Sequence, residues 1–216
     1  MPPLTDFRGV RRAGDINPGP DLGGTGHDAM NFTGSAGAGG DAWITVYDTT
    51  PGNPDPGPAY GSVSLTADVL IQTYNNRKGA GLLALFNEGT GLKGLSLALY
   101  DSGNSDSVVL GTVDPATGQL TALATVSLGG NIVENSWYRL TMEVAVSGAN
   151  VTVTGRVFRH ATATDPNSPL GAQVGSTLAF SGTRPAGVNA AGEVGMVASA
   201  ASTSVNSSVT NFTIQP

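Results

Sequence analysis

The sequence predicts an all-β protein, an antiparallel β-sandwich of jelly-roll type. Three observations carry that prediction. After residue 42 the chain falls into short runs in which apolar and polar residues alternate, the period-two pattern of strands with one buried face. The breaks between runs have turn chemistry, as in "NEGTG", "DSGNSD" and "DPATG". With 31 Gly and 13 Pro in 216 residues, and no stretch in which apolar residues recur at helical spacing, nothing favours helix.

Taken in order, residues 1–41 read as a Gly/Pro-rich leader that packs one or two edge strands. It carries Arg8, Arg11 and Arg12 ahead of "PGPDLGGTGHDAMNFTGSAGAGGD". The sandwich itself is expected over 42–216, as one domain overall. "AWITVYD" (42–48) is its first strand, closed by the Pro-rich breaker "TTPGNPDPGPAYG", which can form neither helix nor central strand. From residue 62 follow "SVSLTADVLIQTY", "GLLALFN", "LKGLSLALY", "SVVLGTV" and "QLTALATVSL".

The most regular stretch is "SWYRLTMEVAVSGANVTVTGRVF" (136–158). Tyr138, Leu140, Met142, Val144 and Val146 share one parity, and Trp137, Arg139, Thr141, Glu143 and Ala145 the other. After Ser147-Gly148-Ala149-Asn150 the alternation resumes with Val151, Val153 and Val157, opposed by Thr152, Thr154 and Arg156. Two such runs joined by a short Gly-containing loop make an antiparallel hairpin, its apolar parity turned to a second sheet. "VGSTLAF", "GEVGMVAS" and "SSVTNFTI" complete the set. Periodicity assigns faces but leaves strand order open.

Composition bounds the function. A formal net charge of -6 disfavours nucleic acid as a partner, because phosphate binding needs a basic stripe. The lack of Cys excludes disulfides and thiolate metal sites, and a core of this size needs no such staples. No run approaches the ~18 consecutive apolar residues of a membrane span. Only 12% of residues are charged, so the surface is rich in Ser, Thr, Asn and Gln, which suits a secreted β-protein. The expected location is extracellular or the cell surface, with the export signal trimmed, since "MPPLTDFRGVRR" has no apolar segment.

The runs "WYRLTMEVAVSGANVTVTGRVF", "SLTADVLIQTYNNRKGAGLLALF" and "GEVGMVASAASTSVNSSVTNFTI" resemble, in pattern and order, the concanavalin A-like lectin/glucanase superfamily, in particular its bacterial laminin-G-like members. The resemblance covers roughly residues 42–214 and implies a concanavalin A-like jelly roll. It does not choose among glycan-binding modules, adhesion domains, glycoside hydrolases and lyases. A retaining glucanase of this fold would carry E-x-D-x-x-E on one strand, since two acids must flank the glycosidic bond; that arrangement is missing. Alginate-lyase relatives would pair Gln-x-His with a Tyr; Gln72 and Tyr74 occur, but without the His. No catalytic residue is therefore assigned. The implied function is a non-catalytic extracellular carbohydrate-binding or adhesive module with a glycan partner. A glycoside hydrolase or polysaccharide lyase of the same fold, and a structural domain of a surface layer, appendage or phage particle, remain alternatives.

A sugar needs a ring to stack on and polar groups for its hydroxyls. Gln72, Tyr74, Asn76 and Arg77 in "QTYNNRKG" offer both. A second candidate is the cross-strand set Arg139, Glu143 and Arg156, which share the polar parity of the hairpin; the bland reading is a solvated charge pair worth under ~1 kcal/mol. Trp43 and Trp137, at strand starts, read as core packing. Calcium is the cofactor the resemblance implies, in a structural role, and Asp101, Asn104 and Asp106 in "DSGNSD" could supply three oxygen ligands from one loop.

Overall fold

The structure is a computed structural model that describes residues 2, 4–35, 41–48, 57–72, 78–101, 106–128, 132–133, 135–200 and 204–216. Among these, the strands are β1 (Phe7–Arg11), β2 (Ile16–Pro20), β3 (Asp28–Ser35), β4 (Asp41–Tyr47), β5 (Val63–Ile71), β6 (Lys78–Phe86), β7 (Gly94–Asp101) and β8 (Ser107–Val113). They continue with β9 (Leu120–Ser127), β10 (Trp137–Ser147), β11 (Asn150–His160), β12 (Leu170–Gln173), β13 (Leu178–Thr183), β14 (Glu193–Ala200) and β15 (Ser204–Gln215). A seven-stranded sheet has the order β1-β4-β14-β6-β7-β8-β9, and an eight-stranded sheet β12-β11-β10-β5-β15-β3-β2, with β13 also pairing β11. Every pairing is antiparallel. The result is the antiparallel sandwich that the alternation predicts.

The sheets meet over one large core. From the seven-stranded sheet come Trp43, Leu82, Leu97, Leu99, Leu110 and Met196, and from the eight-stranded sheet Leu65, Val69, Leu140, Met142, Val153 and Val209, all buried. Each such side chain contributes ~1.5–3 kcal/mol relative to exposure. The β10–β11 hairpin closes at Ser147↔Asn150, with Gly148 at φ 58°, the left-handed conformation a tight hairpin turn requires. Its apolar parity, Tyr138, Leu140, Met142, Val144, Val151 and Val153, is buried as expected.

The first 35 residues are more deeply built in than a leader of edge strands. β1 is an edge of one sheet and β2 an edge of the other, but β3 lies between β2 and β15. Met30 and Phe32 of β3 sit in the main core. The flanking Gly and Pro residues hid this strand, because its own alternation is short.

The seven-stranded sheet is buried on both faces. Its second face carries Ala42, Ile44, Val46, Leu83, Phe86, Val113 and Val197, all fully buried against one another, with Val10 packed beside them. The cause is curvature. Nη1 of Arg11, in edge strand β1, donates to Pro115 O (3.1 Å) and Ala116 O (2.9 Å) in the turn after β8, near the opposite edge. Five strand spacings would separate β1 from β8 by ~24 Å in a flat sheet. No arginine reaches that far, so the sheet curls until its two ends meet, and its concave face fills with its own side chains.

Candidate functional site

The filled concave face opens at one end. Arg8 pairs with Val46 across β1–β4, and Gly195 of β14 pairs with the same Val46, so Arg8 and Glu193 lie on the concave side. The opposite end of the face is the one strapped by Arg11. At the open end a cavity of about 430 Å³ is lined by Arg8, Gly57, Ala59, Asn87, Glu88, Gly192 and Glu193.

The geometry there is built around one guanidinium. Arg8 Nη1 pairs with Glu88 Oε1 at 2.7 Å, Nη2 with Glu193 Oε1 at 3.1 Å, and Nε stands 3.6 Å from Asp48 Oδ2. Burial opposes the charge on Arg8, but Glu88 and Glu193 more than offset it and hold its pKa above the ordinary value. Glu193 is fixed further by the Gly57 N–H, which donates to Oε1 at 2.8 Å. The three acids differ in exposure: the side chains of Asp48 and Glu193 are almost wholly buried, whereas that of Glu88 is 46% exposed.

A bulge places Glu88. The β6–β14 register shifts between Glu193 and Gly195, and Leu85 takes up φ 50°, a left-handed conformation rare for a bulky side chain. Bulges of this kind re-aim the residues that follow. Here Asn87 is turned so that its Nδ2 donates to Leu85 O and Ala191 O at 3.1 and 3.2 Å, and Glu88 comes to face Arg8. Tyr60 pairs its backbone with Gly192 and packs against the main core.

Of the residues singled out from sequence, those that the structure describes lie elsewhere. Gln72 follows β5, its N–H donating to Asn206 O at 3.0 Å, while Tyr74, Asn76 and Arg77 lie outside the described residues. Glu143 and Arg156 do come together, at 2.9 Å, Glu143 exposed and Arg156 half-buried. Arg139 does not join them. It pairs across β10–β5 with Asp68, donating from Nε to Oδ1 at 2.8 Å and from Nη2 to Oδ2 at 2.5 Å. Asp68 is fully buried and holds Arg139 above its ordinary pKa, chiefly through these hydrogen bonds.

Two further partners complete that cluster. His160 ends β11, with Nε2 2.7 Å from Asp68 Oδ1 and Nδ1 2.9 Å from Ser168 O. Asn211, at φ 50° in a bulge of β15, donates to Asp68 Oδ2 at 2.8 Å. The segment from Ala161 to Pro169 lies beside the group, and its Pro166 carbonyl accepts from Arg139 Nη2 and Asn211 Nδ2.

Of the calcium candidates, the side chain of Asp101 and all of Asn104 lie outside the described residues. The buried Asp106 carboxylate accepts from the Ile132 N–H. Among the described residues no group of three or more His, Asp or Glu is gathered so as to hold a metal ion. Trp43 and Trp137 are both fully buried, their indole N–H groups donating to Asp15 Oδ2 (3.3 Å) and Thr25 Oγ1 (3.2 Å).

Arg8, Glu88 and Glu193 were not among the sequence candidates. They come from three distant segments, and Glu88 and Glu193 both stand beside turn residues, where acids commonly serve the turn. The weak signal was Glu193 itself, a charge opening the apolar strand "EVGMVASA".

Two packed antiparallel sheets with this strand content, the seven-stranded one curled, form a sandwich of the concanavalin A-like jelly-roll fold. No protein-family model matches the chain, and no curated protein matches it in sequence. Among solved structures, it is similar to the carbohydrate-binding module CBM66 from Bacillus subtilis, at 13% identity and TM-score 0.54, over 100% of this chain and 99% of that one. It is also similar to part of a GH43 glycoside hydrolase engineered for endo-xylanase and exo-arabinofuranosidase activity, at 12% identity and TM-score 0.55, over 95% of this chain and 37% of that one. At such identities the likeness is one of fold.

Proposed function

We propose that this protein is a non-catalytic, extracellular carbohydrate-binding or adhesive module that takes a sugar at the open end of the concave face. The observation that carries the reading is the Arg8 cavity. A polar guanidinium, two carboxylates and the walls at Gly57 and Gly192 converge in a concavity of about 430 Å³, within the range of small-ligand sites. Sugar hydroxyls both donate and accept, and the Arg8–Glu88 pair offers the matching acceptor and donor side by side. The whole-length likeness to a carbohydrate-binding module supports the same reading.

A glycoside hydrolase is the second reading, favoured by the presence of Glu88 and Glu193 in one cavity. Hydrolysis needs one carboxyl to hold a proton while the other acts as nucleophile or base. Enzymes separate those roles by giving the two groups different environments. Here Glu193 is buried and Glu88 half-exposed, so their surroundings do differ, but each is paired to the same guanidinium, which leaves neither carboxyl away from a cation.

A glycan array probed with the full chain, with and without calcium, tests the proposal. We expect binding to at least one glycan, weakened ~10–100-fold in Arg8→Ala, the loss of hydrogen bonds to a charged group. Silence on every glycan in both conditions would overturn it in favour of a structural domain, and release of reducing or unsaturated ends would favour the enzyme.

A further inference from the structure

The cavity has an unusual charge balance for a site centred on arginine. Among the described residues its lining holds no cation besides Arg8, and that guanidinium faces three carboxylates, Asp48, Glu88 and Glu193. The formal charge of the group is therefore -2.

Resting on the carbohydrate-binding reading above, we propose that the site selects uncharged sugar residues and rejects uronates and sulfated sugars, with Glu88 as the residue that sets the choice. An anionic group on the ligand could reach Arg8 only by displacing one of the carboxylates already on it. Asp48 and Glu193 are buried and cannot be moved out cheaply. Glu88 is the exposed partner, and it occupies Nη1 at 2.7 Å. Its displacement would leave Asp48, Glu193 and the ligand's own negative charge on one cation, with the Glu88 carboxylate unpaired beside them, inside a concavity where such repulsion is less screened than on open surface.

An uncharged sugar meets no such conflict. Its hydroxyls can donate to the outward oxygens of Glu88 while the Arg8–Glu88 pair stays closed. Adjacent hydroxyls can bridge the carboxylate much as water does. The same pair that is a barrier to an anion is thus a ready donor–acceptor edge for a neutral ligand.

The test compares the full-length protein with Glu88→Gln and Glu88→Ala against neutral polymers (xylan, mixed-linkage β-glucan) and acidic ones (alginate, polygalacturonate, heparin). Binding is read by affinity electrophoresis and calorimetry at low and at high salt. Thermal melts of both variants check folding, which an exposed residue should leave intact. The wild type is expected to bind a neutral polymer at both salt levels and none of the acidic ones. Glu88→Gln should shift the acidic-to-neutral affinity ratio upward by tenfold or more, because it removes one negative charge and leaves on Nη1 only a neutral amide acceptor that an anion can displace.

Salt-sensitive binding of an acidic polymer by the wild type, lost in Arg8→Ala, would overturn the selectivity and leave the carbohydrate-binding reading standing. An unchanged ratio in both Glu88 variants would overturn the role of Glu88. Failure to bind any polymer of either kind would remove the underlying reading itself.

Discussion

At the scale of single residues, a buried charge cluster lies away from the cavity. Asp68 is fully buried in the eight-stranded sheet and carries hydrogen bonds from Arg139, Asn211 and His160. A carboxylate so placed is tolerable only because every lone pair is used. Removing one partner of such a group leaves the others as unpaired buried charge, which costs ~3–5 kcal/mol. Asp68→Ala is therefore expected to lower the melting temperature by roughly 6–20 °C for a chain of this length. Arg139→Lys keeps the charge but loses the two-pronged geometry and should cost less. A melting temperature unchanged in Asp68→Ala, read by calorimetry, would contradict this role of the cluster.

The sequence offered half of this pair. Arg139 stood out on the polar parity of the hairpin, but the nearest acid in view was Glu143, four residues along the same strand. Asp68, in the interior of "SLTADVLIQTY", was the better clue, since Asp is depleted in strands and needs a reason to be there. Which strand lies beside it is a matter of topology, and β5–β10 adjacency cannot be read from periodicity.

At the scale of elements, curvature of the seven-stranded sheet is the feature that positions the site, and glycines permit it. Gly81 in β6, Gly111 in β8 and Gly195 in β14 all sit where a Cβ would run into the backbone of the neighbouring strand. At Gly195 the obstacles are the Thr45 carbonyl and the Val46 Cα, which cannot swing aside as a side chain could. Glycine at such points lets a sheet bend sharply. Gly195→Ala is expected to destabilise by ~1–3 kcal/mol, the usual cost of forcing extra volume into a packed site. Gly14→Ala, where an added Cβ meets nothing within 4 Å, is the matched control. Equal melting temperatures for the two variants would dismiss this account of the curl.

The two sheets were not equally legible. The β10–β11 hairpin alternates cleanly, because Thr141, Glu143, Thr152 and Arg156 keep one side of it polar. In β6 and β8 the runs "GLLALF" and "SVVLGTV" are apolar at both parities, since the curled sheet buries both of its faces. Such runs identify a strand but not its two neighbours' sides. The concave face, and with it the cavity at its end, was consequently out of view.

At the scale of the whole molecule, the curl is closed by the N-terminal segment. Asp41, at the start of β4, binds Arg11 Nε through Oδ1 and Arg12 Nε through Oδ2, both at 2.7 Å, while Arg11 reaches on to the carbonyls of the turn after β8. Thus one carboxylate ties together β1, β4 and the far end of the same sheet. Burial alone would raise its pKa, but Arg12, Arg11 and the Ala42 N–H more than offset burial and hold Asp41 below the ordinary carboxylate range. A pKa depressed in the folded state contributes stability that is present above the unfolded value, near pH 4. That contribution is lost as the pH falls through the folded value. The wild type should therefore lose stability on acidification from about pH 5 downward. Asp21, whose carboxyl is likewise held low by hydrogen bonds from Thr25 and His27 against its burial, adds to the same acid limb. Comparison with Asp41→Asn isolates the closure from that background. The variant should be less stable at pH 7, show a shallower acid limb, and converge with the wild type at low pH, where the native carboxyl is protonated too. Melting curves measured at intervals across the acid range decide it: parallel profiles for the two proteins would mean that the meeting of the sheet's ends does not depend on the charge of Asp41.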